Sequence, residues 1–180
     1  QGFLNASEST AIPVLCVFDS EEVGSNSVQG AASMLLQSTL ERICAALGLE
    51  TAQMLASSFM ISADNAHAVH PNYTEKADPT NRPYLNEGIV LKFNANQKYC
   101  TDAVSAAMFR DLCKRADVPV QTFTNRSDMA GGSTLGNISN TQVALNTVDI
   151  GLPQLAMHSP YETAGVKDTE YLVRAAKEFF

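Results

Sequence analysis

Apolar positions along the chain fall into short continuous runs that alternate with longer stretches of helical spacing. Ala11-Ile-Pro-Val-Leu-Cys-Val-Phe18 is apolar, rich in β-branched residues and of strand length, which predicts a first buried strand. From Val28 to Leu47 the pattern is helical, with Met34, Leu35, Leu40, Ile43 and Leu47 on a broad apolar face. Gly48 is placed as its C-cap. Gly30, Ala31 and Ala32 open that helix with small side chains suited to close packing on a sheet, and 50–56 predicts a short helix.

Ser58-Phe-Met-Ile-Ser-Ala63 reads as the next strand, and the Pro- and Asn-rich stretch 74–86 as a loop. Gly88-Ile-Val-Leu-Lys-Phe93 predicts a strand, 94–97 a turn, and Thr101 caps a helix to Ala116. Ala103, Ala107, Phe109 and Leu112 are its expected inner face. Val118–Phe123 is a strand, with Pro119 suited to an edge or a strand start. Gly131-Gly132-Ser133-Thr134 turns into a short helix. Asn146–Ile150 is a strand, 151–159 a loop, and Asp168 is the expected cap of a helix to Phe180. Strands alternating with helices predict an α/β fold.

Composition narrows the function. The 180 residues suffice for one domain with a real core, and a net charge of −7 argues against nucleic acid and anionic membranes as partners. No stretch has the length of a membrane span, and no basic cluster precedes the first apolar run. Cys16, Cys44, Cys100 and Cys113 form no Cys-x-x-Cys pair and read as small buried hydrophobes in a reducing, cytoplasmic compartment. The first core strand comes almost at once, before any other strand, so the chain reads as part of a longer domain.

Chemistry concentrates after the strands. Glu21 and Glu22 follow the 11–18 run, Asp64 follows the 58–63 run, and His158 ends the loop beyond 146–150. In open α/β sheets the loops beyond the strand ends carry ligands. Adjacent carboxylates repel, and a divalent cation is the simplest group to hold them: one ligates while its neighbour handles protons. A solvated acidic loop is the alternative.

Five segments carry a resemblance: Phe18-Asp-Ser-Glu-Glu-Val-Gly-Ser25, Asp64-Asn-Ala-His-Ala-Val-His-Pro-Asn-Tyr73, Lys92-Phe-Asn-Ala-Asn-Gln-Lys-Tyr99, Gly132-Ser-Thr-Leu-Gly136 and Asp149-Ile-Gly-Leu-Pro-Gln-Leu-Ala-Met-His-Ser159. With them the chain resembles the M18 metallo-aminopeptidases, the aspartyl aminopeptidases, over nearly its full length. The resemblance implies a zinc-exopeptidase fold, a mixed sheet flanked by helices, and a site of two Zn2+ ions that activate a water. It implies Glu21 as general base, Glu22 and His158 as ligands of one zinc, and Asp64 as ligand of the other. His67, Lys92 and Tyr99 match substrate-contacting positions, Lys92 being the partner of an acidic N-terminal side chain. The implied partners are peptides with acidic N-termini, and apolar surface left uncovered by the missing N-terminal portion predicts self-association into a homo-oligomer.

His70 reads as a residue that satisfies loop backbone, and Arg126 with Asp128 as a structural ion pair. After Met-His-Ser the family pattern Ile-Arg-Glu is replaced by Pro160-Tyr161 before Glu162. The family also has an earlier ligand histidine, a bridging aspartate and an inserted dimerisation domain. Here the histidines are His67, His70 and His158, and the ten residues before the first apolar run hold no aspartate. The resemblance therefore implies that 1–180 is the C-terminal portion of one metallopeptidase catalytic domain, inactive alone. The alternatives are a non-catalytic binding or assembly module derived from that fold, and an M42-like aminopeptidase, disfavoured by His70-Pro-Asn-Tyr73.

Overall fold

A computed structural model describes residues 1–180. Five helices and seven strands follow in the order α1 (Leu35–Leu47), α2 (Thr51–Ala56), β1 (Phe59–Ala63), β2 (Ala66–His67), β3 (Ile89–Phe93), α3 (Ala103–Arg115), β4 (Val120–Thr124), α4 (Leu135–Asn140), β5 (Asn146–Gly151), β6 (Pro153–Leu155), β7 (Thr163–Ala164) and α5 (Val166–Phe179). The main sheet has the order β1-β5-β3-β4. β1 runs parallel to β5 and β3 parallel to β4, but β3 and β5 are antiparallel, so the sheet is mixed. A small second sheet, β2-β6-β7, continues beyond the ends of β1 and β5. No helix is long and apolar enough to cross a membrane.

β3 shows how alternation builds two layers. Its Ile89 and Leu91 join Phe109 and Cys113 of α3, Val148 and Ile150 of β5, and Ala175 of α5 in the principal core. Val90 points to the other face, with Ala66, Tyr99 and Phe123. α4 covers the β1–β5 end of the sheet, where Gly136 is required: a Cβ there would lie 2.5 Å from the Asp149 carboxylate.

Several expectations change on contact with the structure, among them the 151–159 loop, which contains the strand β6. The 11–18 run forms no strand, and Leu15 and Val17 are exposed; an apolar run becomes a strand only where another backbone meets its N–H and C=O groups. Cys16 is exposed with it, whereas Cys44 and Cys113 are buried and Cys100 is half-buried. Burial pushes the Cys113 thiol up to about 12. Residues 28–34 are turns, and α1 begins at Leu35: Gly30 lies against the backbone of Ser25, where a Cβ would come within 2.1 Å of the Ser25 oxygen. α1 buries Leu36 and Cys44 while Met34, Leu35 and Leu47 stay exposed. α3 buries Ser105, Ala106, Phe109, Leu112 and Cys113, leaving Ala103 and Ala107 outside.

Both expected caps have other duties. Asp102 caps α3 in a reciprocal box with Ser105, while the Thr101 hydroxyl accepts from the backbone N–H of Asp149 at 2.9 Å. Asp168 is the third residue of α5, not its cap, and is fully buried. Its carboxylate accepts the N–H groups of Asn86 and Gly88 at 2.7 and 3.0 Å, pinning the loop before β3. Asp168→Ala should therefore cost about 2–3 kcal/mol, because the buried Gly88 N–H and the partly buried Asn86 N–H lose a charged acceptor. Asp168→Asn should also destabilise, since its amide nitrogen would face one of those donors. Urea unfolding reads both, and a wild-type midpoint for the alanine variant would show the loop is held by other means.

Candidate functional site

The two glutamates stand on a single 3-10 turn, Glu21–Val23. Left-handed Ser20 (φ 67°) enters the turn and Gly24 (φ 101°) leaves it. One backbone bond, from the Asp19 N–H to the Gln29 oxygen at 3.0 Å, ties the base of the turn to the loop ahead of α1. His158 comes from the opposite direction, on the loop between β6 and β7, also with a left-handed backbone (φ 66°). The three side chains meet although 136 residues separate Glu22 from His158: His158 Nδ1 lies 2.8 Å from Glu22 and 3.8 Å from Glu21. The hydrogen bond to Glu22, then the nearby carboxylates, raises the His158 imidazole above its ordinary value.

This trio fits a small divalent cation. One ligand atom from each residue lies within 4.8 Å of the others. Carboxylate oxygen and imidazole nitrogen suit zinc. Neighbouring donors around a tetrahedral zinc stand roughly 3.3 Å apart for bonds near 2 Å, between the two separations found here. All three side chains are exposed, so the trio is an open site.

Asp64 is outside the trio. It leaves β1 beside Gly151, whose missing side chain lets the Asp64 backbone pass: a Cβ there would lie 2.1 Å from the Asp64 oxygen. Its carboxylate faces Lys92 Nζ at 3.9 Å. Lys92 is 2% exposed; its ammonium donates to the Asn65 carbonyl at 3.0 Å and lies 5.3 Å from the centre of the Tyr99 ring. Burial lowers its affinity for the proton, against the opposing pull of Asp64 and Asp149. Lys92 is the fourth residue of β3, which runs antiparallel to β5, and its side chain reaches Asn65 and Asp64 beyond the end of β1. Tyr99 is buried, and desolvation raises its phenol.

His67 connects the two groups electrostatically. The residue is exposed at the surface, yet desolvation, then Lys92 and His158, holds the imidazole below its ordinary value, partly offset by Asp64. His70 accepts the Asn72 N–H at 3.2 Å and packs on Tyr73, the loop-satisfying role expected of it. Arg126 pairs with Asp128 at 2.5 Å and donates to the Glu75 carbonyl, joining two loops.

Sequence reasoning missed two polar side chains around the site. Buried Asp149 accepts the Thr134 hydroxyl at 2.8 Å and the Cys100 N–H. Burial and then this carboxylate push the Cys100 thiol up to about 12. Glu162 accepts the His158 N–H at 2.7 Å. The signals available were a lone aspartate inside an apolar strand and a glutamate four residues beyond the histidine.

Residues 2–180 match the model of the aminopeptidase I zinc metalloproteases, M18, and the chain belongs to that family. It is 50% identical over 183 residues to the probable M18 family aminopeptidase 2 of Clostridium novyi, covering 100% of this chain and 42% of that protein. The chain thus spans about two fifths of the length of the curated relatives it matches. Among solved structures it superposes on Ape4, from the Ape4 and Nbr1 complex, with a TM-score of 0.84 at 43% identity, over 88% of this chain and 30% of that one. It superposes on the S. cerevisiae mApe1 dodecamer with a TM-score of 0.80 at 33% identity, over 91% of this chain and 36% of that one. The mixed sheet flanked by helices is the fold of those M18 structures.

Proposed function

We propose that this chain carries the larger share of the active site of a zinc aminopeptidase that releases acidic residues from peptide N-termini. The observation that supports it most is the meeting of Glu21, Glu22 and His158, from segments 136 residues apart, on a chain of the M18 family. In this reading residues 1–180 form the C-terminal portion of the catalytic domain, Glu22 and His158 hold one zinc, and Asp64 holds a second. Bound zinc would supply Lewis-acid chemistry, polarising the scissile carbonyl and acidifying water.

The chain's own residues do the rest. A Glu21 carboxylate oxygen takes the proton of the attacking water and returns it to the leaving amine. Carboxylates concentrated around the cations attract the free α-amino group of the substrate, which makes the activity an exopeptidase. His67, Lys92 and Tyr99 face the substrate, and the Lys92 ammonium is the charge that an Asp or Glu side chain would pair with. The S. cerevisiae mApe1 dodecamer supports a homo-oligomeric assembly, and four free thiols without a Cys-x-x-Cys pair support a reducing, cytoplasmic setting.

The testing experiment compares Asp- and Ala-initiated peptides in a full-length protein containing this chain. Lys92→Ala should raise KM for the Asp peptide and erase about 1.5–3 kcal/mol of its advantage over the Ala peptide, as expected on losing a hydrogen bond between charged groups. Identical preference before and after the substitution would remove Lys92 from specificity. No turnover of either peptide by the zinc-loaded protein would favour a non-catalytic assembly module.

A further inference from the structure

The histidine of the acidic trio sits on backbone that residues with a Cβ disfavour. His158 and Ala156 both have positive φ, 66° and 56°, within one tight loop between β6 and β7. Something must hold that loop in the one shape that aims the imidazole at Glu22. The loop supplies one backbone bond of its own, from the Ser159 N–H to the Ala156 oxygen at 3.0 Å. The other restraint comes from a side chain. Glu162 Oε1 accepts the His158 N–H at 2.7 Å and, with the same oxygen, the Gln154 side-chain amide at 3.1 Å.

Gln154 is itself fixed. It is 4% exposed, lies in β6 opposite His67 of β2, and accepts the Asn65 side-chain amide at 2.6 Å. The carbonyl of the same Asn65 receives the Lys92 ammonium at 3.0 Å. Hydrogen bonds therefore run without a break from the buried lysine, through Asn65, Gln154 and Glu162, to the backbone of His158. Glu162 lies immediately before β7, whose Thr163 and Ala164 pair with Leu155 and Gln154, so its own backbone is anchored.

We propose that Glu162, braced by Gln154, is a positioning residue: it fixes the left-handed backbone of His158 and so the direction of the imidazole, and it ties that histidine to the Asn65–Lys92 end of the cleft. The function of the braced histidine rests on the metal-binding reading above; the bracing does not. A carboxylate at this place works as a double acceptor. Glutamine keeps the same acceptor oxygen and should replace it, whereas alanine removes it.

The experiment uses a full-length protein containing this chain, as wild type, Glu162→Gln, Glu162→Ala and Gln154→Ala. Amide hydrogen exchange at His158 is read in zinc-free protein, and zinc affinity by competition with a chelator. Glu162→Ala should speed exchange at His158 by roughly tenfold or more and weaken zinc about 10–100-fold, the range for partners that orient a ligand. Glu162→Gln should restore both to near wild type. Gln154→Ala should give the same changes in smaller measure, and it decides the question should Glu162→Ala fail to fold. Wild-type exchange at His158 in Glu162→Ala, or in Gln154→Ala if only that variant folds, would overturn the proposal. So would a Glu162→Gln variant as impaired as the alanine one. If the wild type binds no zinc, the metal reading fails while the exchange data still decide the bracing.

Discussion

Glu21→Gln, in a full-length protein containing this chain, should keep its zinc and lose roughly 10²–10⁴-fold in kcat, the usual contribution of a positioned general base. Glutamine preserves shape and hydrogen bonding but cannot accept the proton. The geometry separates the two neighbours. Glu22 is within hydrogen-bond reach of the His158 imidazole at 2.8 Å, as two donors converging on one cation would be, while Glu21 stands back at 3.8 Å. Glu22→Gln should therefore lose metal as well as turnover, since a neutral amide is a poorer ligand than a carboxylate. Elemental analysis beside steady-state kinetics distinguishes the pair. An empty Glu21→Gln protein and a fully loaded Glu22→Gln protein would exchange the two roles.

Most of the fold was legible because its central strands, β3 and β5, are buried on both faces. Phe59–Ala63, Ile89–Phe93 and Asn146–Gly151 lie within about one residue of the runs that predicted them, since continuous apolar character with turn residues on either side leaves few alternatives. The 11–18 run has the same character and fails, because character does not supply a hydrogen-bonding partner. Thr101 and Asp168 show a related limit. Each has the residue type and place of a helix cap, yet each spends its side chain on a distant backbone, Asp149 in one case and Asn86 and Gly88 in the other. A polar side chain's partner is fixed by tertiary contact, which local sequence does not encode.

The candidate site divides along the same line. Glu21, Glu22, Asp64 and His158 were visible as polar residues just past apolar runs. Which of them meet was not visible, since that depends on where the β6–β7 loop is carried. The antiparallel step between β5 and β3 was equally hidden, and so was the approach of Lys92 to Asp64. Glu162 escaped notice because its importance lies in a backbone N–H that only a left-handed histidine turns towards it.

Assayed as the 180-residue chain alone, the protein should turn over an Asp peptide at least roughly 10³-fold more slowly than a full-length protein containing this chain, even with excess zinc. Three protein ligands and a water are the usual minimum for one catalytic zinc. On the proposed assignment, with Glu21 reserved for proton transfer, one cation would have Glu22 and His158, and the other would have Asp64, which already faces Lys92 at 3.9 Å. The donors present are also costly to order. The side chains of Glu21, Glu22 and His158 are 46%, 66% and 54% exposed, and the glutamates sit beyond a segment that pairs with no strand. Holding three exposed side chains around an ion costs conformational entropy that a buried site has already lost on folding. Zinc should therefore bind loosely enough for a mild chelator to strip it, and a co-catalytic pair should not assemble. Equilibrium dialysis against buffered zinc, run beside the peptide assay, tests both halves. Two tightly held zinc ions per chain with turnover matching the full-length protein would show that these 180 residues complete the site unaided.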